Sequence, residues 1–488
     1  MLRTASRPWI LLSALLLAGC LGEDDRPLQV VAIGVPASPF VKGPSLPGPA
    51  QLLRAATFEG LVGFDAQGRV APAIADRWIV TDDGQSFIFR LRDGKWGDGT
   101  PITADGARIA LMQAIAAQRG TPLGQELAVI AEVKTMAGRV IELRLSRPQP
   151  DLLQLLAMPE LGLAHGGRGS GPMKLRREKD SALLSLIQPE DRGLPPIENW
   201  EERARRLELS ALPAKTAIER YRAGKADVVL GGTLADFPLL DTLGVPRRAV
   251  VADPVAGLFG LVAAHGDGFL AKAENREAIS MAIDREALAA SFSLAGWVVT
   301  TRIINTGLSE DNGTVGERWA GRSVEERRGL AAARVTQWVR AGRTPTLRIA
   351  LPAGPGSDLI FARLSSDLKA IGLIARRVGA NDDTDLRLID DVAIYPGAAW
   401  FLTRLNCSNE PAACSPAADK FVEQALTEAN PVRRAELFSE AEAQLTVGNG
   451  YIPLGLPVRW SLAGGSITGF AANRLAVHPL MSLAMLPK

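Results

Sequence analysis

The stretch from Phe58 to Asp105 constrains the fold more than any other part of the chain. Its Asp83-Gly84 pair separates two strand-like runs, Trp78–Val80 and Ser86–Leu91, and therefore predicts a β-hairpin. In the second run, large apolar side chains occupy every other position, which is the period of a strand with one buried face. Thr103 then precedes an apolar pattern with helical spacing and is expected to cap a helix. These signals predict strands, turns and a helix start, but they indicate no function.

The N-terminus has the pattern of a secretory signal. Two basic residues, Arg3 and Arg7, precede an apolar run, Trp9–Leu17, that is too short to span a membrane well. The run ends in Leu-Ala-Gly-Cys, which resembles the cleavage site of bacterial lipoproteins. We therefore expect residues 1–19 to be removed and Cys20 to carry a lipid. The alternative is an ordinary secretory signal with an incidental cysteine.

Length and charge limit the class of protein. At 488 residues the chain is too long for one hydrophobic core and predicts two or three lobes. The net charge of +2 is small for this size, and the sequence has no basic stripe, so nucleic acid is not expected as a partner. After the predicted signal, no run of 18 or more apolar residues appears, so we expect the lipid to be the only membrane anchor.

The three cysteines suggest an oxidising compartment. Apart from Cys20, the chain has Cys407 and Cys414, seven residues apart in a turn-rich segment. Such a pair can close a short loop by a disulfide in the periplasm. A metal site is the rival interpretation, and it is disfavoured because the three histidines lie far from these thiols in the sequence.

Ordered motifs within Phe58–Asp105 resemble a known family. In chain order they read F-E-G-L-V, P-A-I-A-D-R-W, D-D-G-x-x-F-x-F-x-L-R-D-G and W-x-D-G-T-P-I-T-A-D. This order is similar to the extracellular solute-binding proteins of family 5, the dipeptide- and oligopeptide-binding proteins of ABC importers. Asn275–Leu288 resembles a second family motif, V-R-Q-A-L-x-x-A-I-D-R-E-x-I. The resemblance implies an α/β fold, namely a bilobal periplasmic binding protein of type II with an extra N-terminal subdomain.

The resemblance also implies a division of the chain into lobes, of which the first is discontinuous. The expected units are a lipoprotein signal peptide (1–19), a lipid-anchored tether with the start of lobe I (20–50), an added subdomain of lobe I (51–165), the core of lobe I (166–265), lobe II (266–452) and a return to lobe I (453–488).

The residues of Asn275–Leu288 themselves predict one amphipathic helix with Asn275 as its N-cap. Its buried stripe is expected to consist of Ala278, Ile279, Ala282 and Ile283. Asp284 and Arg285 are expected to be structural rather than catalytic, on a solvated face or in a local salt bridge.

The predicted ligand site is where the chain departs from the family. Peptide-binding members carry a W-x-A-D-Y-x-D-P-like stretch whose aspartate pairs with the ammonium group of the peptide. The matching segment, Asp391–Leu402, is shorter, and no aspartate lies between Ala393 and Leu402. A buried ammonium group would be poorly compensated there. Either another acid supplies the charge, or the ligand has no free amino terminus.

Aromatic side chains are the candidates for lining the cleft, and each could equally belong to the core. They are Phe259, Tyr395, Trp400 and Trp297. With only three tyrosines, the chain offers less aromatic surface than peptide clefts of the family usually use. Peptides therefore share the prediction with opines, sugars, nickel chelates and other small solutes.

The function implied by the resemblance is capture of a peptide or similar solute and its delivery to an ABC permease. The chain would act in the periplasm as a lipid-anchored monomer without a cofactor or metal. One alternative is a sensor or chaperone-like lipoprotein that keeps the fold without transport. A secreted hydrolase is the other, and it is disfavoured because Gly464–Thr468 has threonine where the G-x-S-x-G motif needs glycine.

Overall fold

The structure is a computed structural model that describes residues 26–136, 138–292, 294, 296–308, 310–313, 316–339, 345–380, 382–465 and 467–487. The predicted signal peptide and the predicted lipidation site, Cys20, lie outside the described residues. Within the described ranges, no helix is both long enough and apolar enough to cross a membrane.

Strands and helices are interspersed along the described chain, in several places as consecutive strands or consecutive helices. The strands are β1 Leu28–Ile33, β2 Val62–Phe64, β3 Val70–Pro72, β4 Ala75–Val80, β5 Ser86–Leu91, β6 Ile130–Met136, β7 Val140–Leu145, β8 Met173–Glu178, β9 Ser181–Leu186, β10 Leu207–Leu212, β11 Val228–Thr233, β12 Val250–Asp253, β13 Gly257–Ala263, β14 Thr346–Ala350, β15 Ile374–Val378, β16 Leu386–Val392, β17 Tyr451–Gly455 and β18 Arg459–Ala463. The α-helices are α1 Gly48–Thr57, α2 Ala104–Ala117, α3 Pro122–Leu127, α4 Leu152–Leu156, α5 Trp200–Arg203, α6 Ala214–Arg222, α7 Pro238–Thr242, α8 Ala273–Ala282, α9 Arg285–Ala290, α10 Val324–Val339, α11 Pro355–Lys369, α12 Ala398–Arg404, α13 Pro416–Thr427, α14 Pro431–Gly448 and α15 Leu480–Ala484.

Two mixed sheets form the centres of two lobes. The seven-stranded sheet of the first lobe has the order β12-β18-β11-β1-β10-β9-β8, and the five-stranded sheet of the second lobe has the order β15-β14-β16-β13-β17. A four-stranded antiparallel sheet, β4-β5-β7-β6, forms the centre of the added subdomain. The predicted α/β fold with two lobes and an extra subdomain is confirmed.

The predicted domain boundaries stay predictions, but the strands can be placed against them. The four-stranded sheet lies inside 51–165, the segment expected to form the added subdomain. In contrast, β13 lies inside 166–265, the segment expected to form the core of lobe I, and yet it pairs with β16 and β17 in the second lobe. The second sheet therefore takes its first strand from before the expected boundary at 266.

The added subdomain begins with the predicted hairpin, which is confirmed. β4 and β5 are antiparallel, and the Asp83 side chain closes the turn by accepting hydrogen bonds from the Gln85 N–H (3.0 Å) and the Thr81 hydroxyl (2.6 Å). Phe87 and Phe89 are buried as the alternation predicts. Thr103 caps α2 by accepting a hydrogen bond from the Gly106 N–H at 3.1 Å, also as predicted.

The prediction of one helix over Asn275–Leu288 is wrong. The chain is extended at Ile283, between α8 and α9, and the Asp284 side chain caps α9 by accepting from the Ala287 N–H at 3.0 Å. An aspartate competes well for such an N-terminal position, and this favours a new helix start over continuation. Asn275 is not the N-cap, because it lies inside α8 and donates from Nδ2 to the Phe269 carbonyl at 2.8 Å. The predicted buried stripe is confirmed.

Arg285 also differs from its expected place on a solvated face. Its side chain is buried, with Nε donating to the Pro453 carbonyl (2.8 Å) and Nη1 to the Ser280 carbonyl (3.2 Å). Burial lowers the pKa of Arg285 to about 10. The guanidinium thus joins the α8–α9 junction to β17, and its role is structural, as expected.

Candidate functional site

Two chain connections join the lobes side by side. Residues 254–256 lead from β12 to β13, and residues 456–458 lead back from β17 to β18. Because β13 pairs with β17 and β12 pairs with β18, both antiparallel, the connections run next to each other in opposite directions. Beside them, Arg459 Nη1 of the first lobe donates to Asp390 Oδ1 of the second lobe at 2.7 Å. Two short connections that lie side by side, with an ion pair bridging the lobes next to them, have the form of a hinge.

Phe259 and Trp297, two of the predicted ligand residues, meet at this hinge. The Phe259 side chain is buried on β13, and its ring lies edge-on to that of Trp297 at 5.8 Å. Trp297 is half-buried, packs edge-on against Phe292 at 5.4 Å and donates from Nε1 to the Leu456 carbonyl at 2.8 Å. These aromatic rings therefore brace the connection that returns to the first lobe.

Tyr395 and Trp400 lie at a second place, where the segment after β16 meets the added subdomain. Both side chains are buried, and Trp400 packs edge-on against Phe401 at 5.1 Å in α12. The Tyr395 hydroxyl donates to Glu126 Oε1 of α3 at 3.0 Å, across 269 residues of sequence. This buried hydrogen bond joins the second lobe to the added subdomain. The ligand-binding role of all four aromatic residues stays a prediction.

Charged residues that the sequence reasoning missed surround the Tyr395–Glu126 contact. Burial raises the pKa of Glu126, against the lowering effect of the hydrogen bond from Tyr395. Burial, helped by the negative charge of Glu310, raises the pKa of Asp151 to about 6. Arg147, half-buried beside them, has its pKa lowered by burial. Three carboxyl groups thus lie near one another at the boundary between the added subdomain and the second lobe.

Glu310 is held in place by the second lobe. Its Oε2 accepts from the Ala398 N–H at the start of α12 (3.2 Å), and its Oε1 accepts from Arg434 Nε (3.1 Å). No local signal in the sequence marks these residues, because Glu126, Asp151 and Glu310 belong to three separate segments that only the tertiary fold brings together.

The segment that lacks the family aspartate is part of this boundary. It runs from the end of β16 through Tyr395 into α12, and the one aspartate at its start, Asp391, accepts from Arg404 Nε at 2.8 Å. Asp391 is therefore committed to an ion pair within the second lobe. The carboxyl groups that act on Tyr395 are instead Glu126 and Asp151 of the added subdomain.

A separate cavity of about 370 Å³ lies on the second lobe and is lined by none of the four predicted ligand residues. Its walls are formed by the start of α9, by the start of α10 and by a segment between these helices, with Asp284, Arg285, Thr300, Thr301 and Arg327 among them. The aromatic residues chosen from the sequence are thus packed into the hinge and the lobe boundary, not around this cavity.

Comparison with known proteins gives the same architecture. The family described as bacterial extracellular solute-binding proteins, family 5 Middle, matches residues 69–391. The structure is similar to that of Haemophilus influenzae OppA in complex with the peptide RPPGFSPFR, with a TM-score of 0.80, 18% identity and coverage of 94% of this chain and 99% of that one. It is also similar to the Escherichia coli murein tripeptide binding protein MppA, with a TM-score of 0.76, 20% identity and coverage of 94% and 97%.

Sequence similarity to curated relatives covers a smaller part of the chain than the structural similarity does. The probable deoxycholate-binding periplasmic protein YgiS of Escherichia coli is 30% identical over 201 residues, which are 35% of this chain and 38% of that protein. The chain thus spans less than two thirds of the length of this relative. The family match, in contrast, covers more than half of the chain and includes the four-stranded sheet of the added subdomain and most of the second sheet. The chain belongs to the bacterial extracellular solute-binding proteins, family 5.

Proposed function

We propose that this chain is the periplasmic, lipid-anchored subunit of an ABC importer, which captures a solute between its two lobes and delivers it to a membrane permease. The observation that carries the proposal is the pair of adjacent connections between the lobes, 254–256 and 456–458. Two lobes on such a hinge can close around a ligand and present a changed surface to a partner. Membership of the family supports this function.

The sequence before the first strand supports the anchor. The apolar run Trp9–Leu17 followed by Ala18, Gly19 and Cys20 has the order that lipid attachment requires. Seven residues, 21–27, would then separate a lipid on Cys20 from the first strand, enough for a short tether. We expect mass spectrometry of membrane-extracted protein to show an N-terminal peptide that begins at a diacylated Cys20. An unmodified Cys20 on the mature chain would contradict the anchor and leave the binding function untouched.

The ligand we propose is a peptide or a similar small solute. Among the similar proteins, OppA is known in complex with a peptide, and YgiS is described as probably deoxycholate-binding. The missing aspartate in Asp391–Leu402 argues against recognition of an amino terminus by the family mode. Glu126 and Asp151 are the acids that would replace it if the ligand carries an ammonium group.

Ligand binding is expected to make the protein more compact and more stable. At 100 times its Kd, a ligand adds about 2.7 kcal/mol to the free energy of unfolding, so a library of short peptides, their N-acetylated forms and bile acids can be screened by thermal shift. The best ligand should also lower the radius of gyration in small-angle scattering, because the lobes close on the hinge.

The peptide pairs decide how the amino terminus is read. If Glu126 or Asp151 binds the ammonium group, N-acetylation should weaken binding at least about 10-fold, since a buried carboxylate would lose its partner. Equal binding of both forms would indicate a ligand without a recognised amino terminus. No shift and no compaction with any compound would argue against the binding function.

A further inference from the structure

Helix α3 is fixed firmly to the added subdomain. Thr121 caps it by accepting from the Gly124 N–H at 3.0 Å, and Leu123 and Leu127 are buried in the core of the subdomain. Gly124 lies so close to the Gln118 carbonyl that a Cβ atom at Gly124 would come within 2.0 Å of the oxygen. After Gly124, the side chains of Gln125 and Glu126 bond to residues of the second lobe.

Gln125 is held at both ends of its side-chain amide. Its Oε1 accepts from Asn406 Nδ2 and from Asn409 Nδ2, each at 3.1 Å, and its Nε2 donates to Asn409 Oδ1 at 2.9 Å. Other hydrogen bonds, within the second lobe, also hold the two asparagines in place. Asn406 Oδ1 accepts from the backbone N–H of Asn409 (2.9 Å), and Asn409 Nδ2 also donates to the Thr403 carbonyl (2.9 Å).

The loop that carries these asparagines is braced by a covalent bond and by ion pairs. Cys407 and Cys414 are joined in a disulfide, and the Cys407 N–H donates to Asp419 Oδ2 at 3.1 Å. Inside the closed loop, the buried Glu410 accepts from Arg404 Nη1 at 2.6 Å and also pairs with Arg387. The loop is therefore a rigid docking point, in a part of the second lobe far along the chain from α3.

We propose that α3 and the disulfide-closed loop form a clasp that holds the added subdomain on the second lobe, and that its release sets how readily the space between the lobes opens. The neighbouring bond from Tyr395 to Glu126 completes the clasp. The hydrogen bonds of the clasp join polar groups, so water can replace each of them when the lobes part. The proposal rests on the proposed function only in assigning a purpose to this opening.

Amide hydrogen exchange of the full-length chain without ligand tests the clasp. In Gln125→Ala, which removes three side-chain hydrogen bonds, peptides covering 118–128 and 403–416 should exchange about 10-fold faster than in the wild type. The matched control is Gln113→Ala, at an exposed position of α2. In Gln113→Ala, the segments 118–128 and 403–416 should exchange as in the wild type. Peptides from the four-stranded sheet should exchange at the wild-type rate in both variants.

The second part of the experiment removes the disulfide that braces the loop. In the Cys407→Ser, Cys414→Ser double variant, α3 is expected to exchange several-fold faster although its own sequence is unchanged. A larger radius of gyration should accompany faster exchange in both arms. The clasp is overturned if Gln125→Ala stays within about twofold of the wild type in both segments, and the role of the disulfide is overturned if the double variant leaves α3 protected. Since no ligand is used, either result is independent of whether a ligand is found for the protein.

Discussion

Replacing Glu59 with glutamine is expected to lower the free energy of unfolding by about 3–5 kcal/mol. Glu59 is the glutamate of the F-E-G-L-V motif, and its carboxylate is buried between two arginines. Its Oε2 accepts from Arg92 Nη2 and its Oε1 accepts from Arg192 Nη2, each at 2.5 Å. The amide of glutamine is neutral, so the variant leaves two largely buried guanidinium groups without a negative partner.

The position of Glu59 explains why the effect should reach beyond one ion pair. Arg92 follows β5 of the added subdomain, whereas Arg192 lies between β9 and β10 of the first lobe. Arg92 Nε also donates to the Arg192 carbonyl at 2.7 Å. The next residue, Gly193, approaches Asp93 so closely that a Cβ atom would overlap its carbonyl oxygen. Glu59 therefore holds the added subdomain against the first lobe.

Chemical denaturation followed by circular dichroism measures this loss. The matched control is Glu132→Gln in β6, whose pair with Lys134 (2.8 Å) is exposed and should contribute no more than about 1 kcal/mol. If Glu59→Gln is too unstable to purify, the triple variant Glu59→Leu, Arg92→Met, Arg192→Met removes all three charges and should restore folding. Equal midpoints for Glu59→Gln and Glu132→Gln would contradict this role.

Local structure could be predicted from the sequence because its signals are local. The Asp83-Gly84 turn and the Thr103 cap involve hydrogen bonds that span five residues or fewer. Such contacts depend on neighbouring residues that can be read together. The break at Ile283 does not follow from the apolar pattern, because the helical spacing of apolar residues continues across it. The structure shows the start of a second helix by the capping bond of Asp284.

The candidate site could be predicted only in part, because it is assembled from distant segments. The sequence marked Tyr395 as part of an altered motif, but its partner Glu126 lies 269 residues away in a helix without a family signature. Likewise, the buried side chain of Arg285 donates a hydrogen bond to a carbonyl group 168 residues away. Hydrophobic patterns predict which face of a segment is buried, but they do not predict which other segment covers it.

The hinge gives the second large expected effect. Arg459→Met should lower the free energy of unfolding by about 3 kcal/mol at pH 7, because it removes the cation that offsets the burial of Asp390. Arg459 makes two bonds to that residue, from Nη1 to Oδ1 and from Nη2 to the backbone carbonyl, each at 2.7 Å. Methionine keeps much of the apolar stem of the arginine, so the change is mainly one of charge.

The loss should depend on pH in a definite direction. Burial raises the pKa of Asp390 above its ordinary value of 3.8, and the charge of Arg459 opposes this rise. Without Arg459, the pKa in the folded state rises further, so the folded protein holds a proton that the unfolded chain releases. Stability is then lost as the pH rises from the unfolded pKa through the folded pKa. The difference between Arg459→Met and the wild type should therefore be smaller at pH 5 than at pH 7.

Two further variants separate the charge from the packing at the hinge. Adding Asp390→Asn to Arg459→Met removes the uncompensated carboxylate and should recover most of the stability at pH 7 while abolishing the pH dependence. Arg69→Met is the matched control, because its ion pair with Asp65 (2.8 Å) leaves the Arg69 side chain 75% exposed and should contribute no more than about 1 kcal/mol. A loss for Arg459→Met that is the same at both pH values and is not relieved by Asp390→Asn would show that Arg459 stabilises the hinge by packing alone. Recovery of stability by Asp390→Asn would instead show that the charge of Arg459 acts by compensating the carboxylate of Asp390. Because Asp390 lies on the second sheet and Arg459 on the first, an ion pair between the lobes would then contribute to the free energy of unfolding of the whole chain.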